Sequence, residues 1–170
     1  MKHPIRAMLV GLVSVTCMAF GIAPAQAKGD DGLLNRDQAI KMAKARAAKI
    51  VDLGDVKIID ARSTSAVAAA RTSCVGEGFA PWGVWGLTVK APCAVFGHNG
   101  YRRTYNWWVP WWSGANVCVQ AQGFNSGKTA TYYGLGCGDE GWGNVPWGNV
   151  LAQPAARGQA YQSLGRFQFN

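Results

Sequence analysis

Between residue 61 and the C-terminus only three carboxylates are available for acid–base chemistry: Glu77, Asp139 and Glu140. A pair of carboxyl groups flanking a glycosidic bond is the minimum for glycan hydrolysis. Glu77 follows Cys74, and Asp139 follows Cys137, by similarly short distances, so the two could occupy equivalent loops. Ordinary charges at hairpin ends fit the same description. The other chemistries lack residues. His98, in Gly97-His98-Asn99-Gly100, has no nucleophile near it in sequence. Cys-x-x-Cys is absent, so no metal or cofactor is expected. Ser126-Gly127-Lys128-Thr129 resembles the end of a phosphate-binding loop, but the required first glycine is Gln122. The expectation is a non-enzymatic protein with no nucleotide or nucleic-acid partner.

Binding chemistry is better supplied. Tyr105-Asn106-Trp107-Trp108-Val109-Pro110-Trp111-Trp112 places four of the eight tryptophans within six residues, with Arg102-Arg103 one residue before the stretch. A flat indole stacks on the C–H side of a pyranose. It also anchors at lipid headgroups, where neighbouring arginines favour an anionic surface. The candidate binding residues are therefore Trp107, Trp108, Trp111, Trp112, Arg102 and Arg103. In a small domain such indoles also form the core, because few residues supply as much area. The functional expectation is a secreted protein that engages a cell-wall or cell-surface polymer (a glycan) or an anionic membrane through this Trp-rich face. The alternatives are a bacteriocin-like toxin, an enzyme inhibitor presenting Ala80-Pro81-Trp82 and, last, a small glycan hydrolase.

The start of the chain directs it out of the cytoplasm. Lys2 and Arg6 precede an apolar stretch over 7–22, and Pro24 leads into Ala25-Gln26-Ala27. That is the pattern of a signal peptide covering 1–27, cleaved after Ala27. Lipidation at Cys17 is the rival, with a poor signal around it. Cleavage removes Cys17 and leaves Cys74, Cys93, Cys118 and Cys137, an even number that predicts two disulfides in an exported chain. The net charge falls from +8 to +6 with the loss of Lys2 and Arg6. A basic, aromatic-rich domain outside the cytoplasm suits polyanionic partners, although the same charge also serves solubility.

The elements that must position these residues fall into two zones. Residues 28–72 read as a helical N-terminal segment and linker. Asn35 can cap a helix with Gln38 three residues on, and Ile40, Ala43, Ala47, Ile50 and Val51 form its apolar stripe. Gly54 is the expected stop, and 56–60 could be a short strand. Residues 73–170 read as a Trp-rich β domain. Strands are predicted at 85–90, 104–109, 117–124, 129–135, 149–152 and 166–169. The fold class is mainly β: a small disulfide-stapled sandwich or barrel, preceded by a short amphipathic helix.

Cysteine spacing sharpens this. Cys74 to Cys93 and Cys118 to Cys137 each span 20 residues, and each midpoint is a Gly-X pair, Gly83-Val84 or Gly127-Lys128. Gly-X suits a two-residue type II′ hairpin turn. The predicted pairing is 74–93 and 118–137, with Trp82 and Trp85 facing each other across the first turn. A tight turn would put both cysteine pairs at the wider, hydrogen-bonded kind of site, so a bulge or a different loop is required. Neighbouring residues on a strand face opposite sides, so one indole of Trp107-Trp108 must point out, and one of Trp111-Trp112 if that segment is extended.

Overall fold

The computed structural model describes residues 33–63 and 74–170, so the leader at 1–27 and the boundary near Ser73 lie outside the described residues. The protein is mainly β, with several sheets and two disulfides. The elements are β1 (Leu33–Leu34), α1 (Arg36–Ala45), β2 (Lys49–Ile50), β3 (Lys57–Asp60), β4 (Gly76–Ala80), β5 (Val89–Lys90), β6 (Cys93–Phe96) and β7 (Arg102–Trp108). They continue as β8 (Val117–Phe124), β9 (Ala130–Gly138), β10 (Glu140–Pro146), β11 (Val150–Ala152), β12 (Ala155–Ala160) and β13 (Gly165–Phe169).

Three sheets result, ordered β1-β3-β6-β11-β2, β10-β7-β13-β4 and β5-β12-β8-β9. The two four-stranded sheets are antiparallel throughout and share one core. Tyr105, Trp107, Phe167 and Phe169 come from one inner face; Val117, Val119, Ala121, Ala156 and Ala160 come from the other. Large rings oppose small residues, and glycine makes room where the rings are closest. A Cβ on Gly158 would stand 2.8 Å from Phe167, and one on Gly141 2.7 Å from Trp107. Trp107 and Trp147 are both buried. An indole of roughly 200 Å² contributes on the order of 5 kcal/mol at about 25 cal/mol per Å². The Trp147 Nε1–H donates to the Val150 carbonyl at 3.1 Å, which removes the cost of burying that donor.

The five-stranded sheet joins the N-terminal segment to this body. β3 runs parallel to β6 and β2 parallel to β11. One side of the sheet gives Ile59, Val95 and Ala152 to the main core; the other gives Ile58, Ala94, Phe96 and Leu151 to Ala39 and Ala43 of α1. Asn35 Oδ1 accepts from the Gln38 N–H at 2.8 Å and caps the helix. The helix stops at Ala45, well before Gly54, and Ile50 belongs to β2. Tertiary pairing ends it. Lys49 and Val51 donate backbone hydrogen bonds to Asn149 and Leu151, and the Asn149 side chain donates to the Arg46 carbonyl at 2.7 Å.

Both disulfides pair as the spacing predicts, 74–93 and 118–137. Two intramolecular bridges fit an extracellular or otherwise oxidising compartment. Only the second closes a hairpin. There Cys118 lies opposite Cys137 in the β8–β9 ladder. The turn is not type II′. Asn125 accepts from the Lys128 N–H, Asn125 and Thr129 pair, and Lys128 takes the left-handed conformation at φ 56°. This three-residue loop shifts the register by one, and a bulge leaving Leu135 unpaired shifts it back. The two shifts cancel. The Cys118 and Cys137 Cα atoms stand 3.9 Å apart, the closer of the two antiparallel spacings.

The first segment is not a hairpin. β4 pairs with β13, β5 with β12, and β6 with β3 and β11. Trp82 and Trp85 therefore do not face each other across a ladder: Trp82 bridges to Ala160, and Trp85 lies under the Arg157 guanidinium. Strands β4, β6, β10 and β12 were not among those predicted. In β10 Gly141 and Gly143 face inward, where a Cβ on Gly143 would stand 2.8 Å from Leu135.

Candidate functional site

The alternation of β7 sorts its residues into two sets. Arg103, Tyr105 and Trp107 point into the core; Arg102, Thr104, Asn106 and Trp108 point outward. Trp107 and Arg103 are thus placed to hold the sheet and have no surface to offer a ligand. Arg103 is only 6 % exposed, with its guanidinium 4.8 Å from the Tyr105 ring centre and 5.9 Å from that of Trp147. No carboxylate pairs with it among the salt bridges of the described residues. The Tyr105 hydroxyl donates to the Gln122 carbonyl at 3.0 Å. Burial pushes its pKa up to about 12, with the Arg103 charge opposing the rise.

The outward set forms part of a larger surface. Register places Glu140, Trp108, Gln168 and Glu77 in one row across the four strands of the β10-β7-β13-β4 sheet. On one side of that row stand Trp142 and Asn106, then Asn144 and Thr104; on the other stand Arg166 and Phe79. Trp142 is 67 % exposed. It is the diagonal neighbour of Trp108, at the roughly 7–8 Å typical of such pairs.

Hydrogen bonds hold these side chains in place. Trp108 Nε1–H donates to Gln168 Oε1 at 2.8 Å, and Gln168 Nε2 donates to Glu77 Oε2 at 3.4 Å. Arg166 Nη1 meets the other Glu77 oxygen at 2.7 Å. Thr104 Oγ1 donates to Asn144 Oδ1 at 2.6 Å, and Asn106 Nδ2 donates to Asn170 Oδ1 at 3.0 Å. Arg102 Nη2 donates to the Asn144 carbonyl at 2.8 Å. The result is a sheet face on which half-buried Trp108 and largely exposed Trp142 stand among the amides of Asn106, Asn144 and Gln168 and the hydroxyl of Thr104.

The chain has no match among protein-family models, curated proteins or solved structures.

The carboxylates are poorly placed for glycan hydrolysis. Glu77 and Glu140 share a row but stand on opposite edge strands, three strand spacings or about 14 Å apart. Acid–base pairs in glycosidases stand roughly 5–9.5 Å apart. Asp139 sits in the β9–β10 turn, with its carbonyl accepting from the Val109 N–H. His98 Nδ1 is 2.9 Å from the Asn99 carbonyl, in the turn beside Tyr101. Among the described residues, no three His, Cys, Asp or Glu side chains gather as metal ligands would.

Trp111 and Trp112 leave the sheet. Ser113 N–H donates to the Pro110 carbonyl at 2.8 Å, so the segment turns instead of extending, and both indoles are exposed. The Trp-rich stretch thus divides three ways: Trp107 in the core, Trp108 on the sheet face, and Trp111 with Trp112 on a loop. A shallow, open depression of about 390 Å³ borders the Arg102 end of the sheet and includes Tyr101, Asn125, Lys128 and Asn149. Trp142, Asn144 and Gln168 are site residues that the sequence reading did not include. For Gln168 the signal is the alternation of the strand predicted at 166–169; for Trp142 and Asn144 it is the alternation of β10, which shows only once 140–146 is read as a strand.

Proposed function

We propose that the protein is a secreted, non-enzymatic carbohydrate-binding protein that engages a cell-wall or cell-surface glycan through the solvent face of the β10-β7-β13-β4 sheet. The observation that carries this reading is that a half-buried indole and a largely exposed one stand among hydrogen-bonding side chains on one face of the sheet. Trp108 and Trp142 supply stacking platforms. Asn106, Asn144, Thr104, Gln168 and Arg102 supply donors and acceptors for ring hydroxyls. The Trp108–Gln168–Glu77–Arg166 network fixes the indole before a ligand arrives, so less side-chain freedom is lost on binding. A lipid surface fits this face less well, because Asn106, Asn144, Gln168 and Glu77 would lose water without compensation.

Retention on insoluble peptidoglycan, chitin and cellulose tests the reading, with tryptophan fluorescence following soluble oligosaccharides of the same polymers. Trp142→Ala removes a largely exposed side chain and should fold like the wild type. It should weaken binding at least about tenfold, or about 1.4 kcal/mol, because an indole at a contact centre commonly exceeds that value. Trp108→Ala should do the same or more. If no polymer retains the wild type, the proposal is wrong.

A further inference from the structure

Three loops meet at one end of the β body, and backbone hydrogen bonds tie each to the next. Gly83 N–H donates to the Ala160 carbonyl at 2.9 Å, and Ala160 N–H donates to the Pro81 carbonyl at 2.9 Å. Tyr161 N–H then donates to the Asn116 carbonyl at 3.3 Å, and Arg166 N–H to Ser113 Oγ at 2.9 Å. The loops 81–88, 110–116 and 161–164 are therefore neighbours. They present a row of open apolar side chains: Trp82 at 71 %, Trp111 at 92 %, with Val84, Trp112, Tyr161 and Leu164 also exposed.

Their composition is as informative as their exposure. None of the three loops contains Asp, Glu, Lys or Arg. The charged groups stacked on the tip's rings are both arginines, Arg166 against Trp112 at 5.4 Å and Arg157 against Trp85 at 5.3 Å. Glu77 reaches Arg166 from the sheet side, outside the loops. Uncharged loops led by tryptophan, tyrosine and leucine, with arginine behind them, have the chemistry of a segment that rests in the headgroup zone of a bilayer. Indole and phenol place an apolar body in lipid and a polar tip in water.

We propose that this tip docks on the surface of an anionic phospholipid bilayer, with Trp111 and Leu164 entering it first. The inference does not rest on the glycan reading, which uses a different face and different indoles; Arg166 borders both, meeting Glu77 on the sheet and stacking on Trp112 at the tip.

The test is co-sedimentation of the protein, purified as its producing cell releases it, with vesicles of phosphatidylcholine and phosphatidylglycerol. Tryptophan emission is read on the same samples. Binding with a blue-shifted emission is expected. Trp111→Ala, which removes an almost fully exposed side chain, should weaken partitioning about tenfold, in keeping with the area it withdraws from the interface. Trp111→Ala with Leu164→Ser should abolish it. Trp142→Ala should leave vesicle binding unchanged, and Trp111→Ala should leave glycan retention unchanged, so each reading can fail alone. Absence of vesicle binding, or equal binding by the tip variants, overturns the proposal. Self-association that Trp111→Ala abolishes, without vesicle binding, also overturns it and makes a second copy the occupant.

Discussion

Residues 74–93 and 118–137 have the same length, a cysteine at each end and a glycine at the tenth position, yet they fold differently. The second is a continuous two-stranded ribbon, its bridge spanning directly opposed residues. The first is spread over three strands in three different sheets, its bridge joining the approach to β4 with the start of β6. What separates them lies between the cysteines. Residues 117–124 and 130–138 offer two long strands on either side of Asn125-Ser126-Gly127-Lys128-Thr129. Residues 74–93 hold Pro81, Gly83, Gly86 and Pro92, which break any long strand. Cysteine spacing therefore marks which residues can meet, and the strand pattern decides whether they meet as a hairpin.

Removing the bridges tests this contrast most strongly. Each closes a loop of equal length, so chain entropy alone gives about 3 kcal/mol for Cys74→Ser with Cys93→Ser and about the same for Cys118→Ser with Cys137→Ser. The first pair should cost more. Cys74 and Cys93 are both buried, and two serines there would place hydroxyls in the main core. Urea unfolding measures both; a smaller loss for 74–93 would contradict its place in the core.

Reduction gives a second difference. Cys137 is exposed, whereas both sulfurs of the other bridge come from buried residues. Under mild reductant, alkylation followed by mass spectrometry should find Cys118 and Cys137 labelled before Cys74 and Cys93. Simultaneous labelling would mean that the difference in burial between the two bridges does not set the order in which they are reduced.

The smallest effect separates the two central glycines. Gly83 has φ +71°, so Gly83→Ala should cost about 1 kcal/mol from backbone strain alone, since no atom lies within 4 Å of the new Cβ. Gly127 is not left-handed, and its added Cβ would lie 3.4 Å from Asn125 Oδ1. Gly127→Ala should therefore stay within about 0.5 kcal/mol of wild type. Thermal melts of the two variants would resolve the gap; equal losses would restore a type II′ turn at Gly127-Lys128.

Several features were legible in the residues. Asn35 as a cap, the 118–137 bridge, the strand at 117–124 and the opposed faces of Trp107 and Trp108 all follow from local rules, whereas the 74–93 bridge forms without the hairpin from which it is predicted. The need for a bulge or a different loop in the second segment was also readable, and the protein uses both. Other features depend on distant partners. Ile50 fits a helical stripe, but β11 captures it as a strand. Arg103 reads as a surface charge beside Arg102, and only the β7 alternation with Tyr105 and Trp147 around it explains its burial. Gly141 and Gly143 give no strand signal, because nothing local shows that Trp107 and Leu135 need the space. The binding face was half visible for the same reason: Trp108 lies within the conspicuous stretch, while Trp142 joins it through a strand that local composition hides.

Both bridges lie within residues 74–137, so among the described residues 33–63 are held to 74–170 by strand pairing, side-chain contacts and packing without a disulfide. β3 nevertheless is an interior strand of its sheet, between β1 and β6, and α1 covers Phe96 and Leu151. A single cut between Ser63 and Cys74 would turn the protein into a two-component assembly, with 33–63 as a removable insert whose occupancy depends on its concentration. Such a peptide could be exchanged, labelled or supplied separately, making the sheet a natural point for split-protein reconstitution.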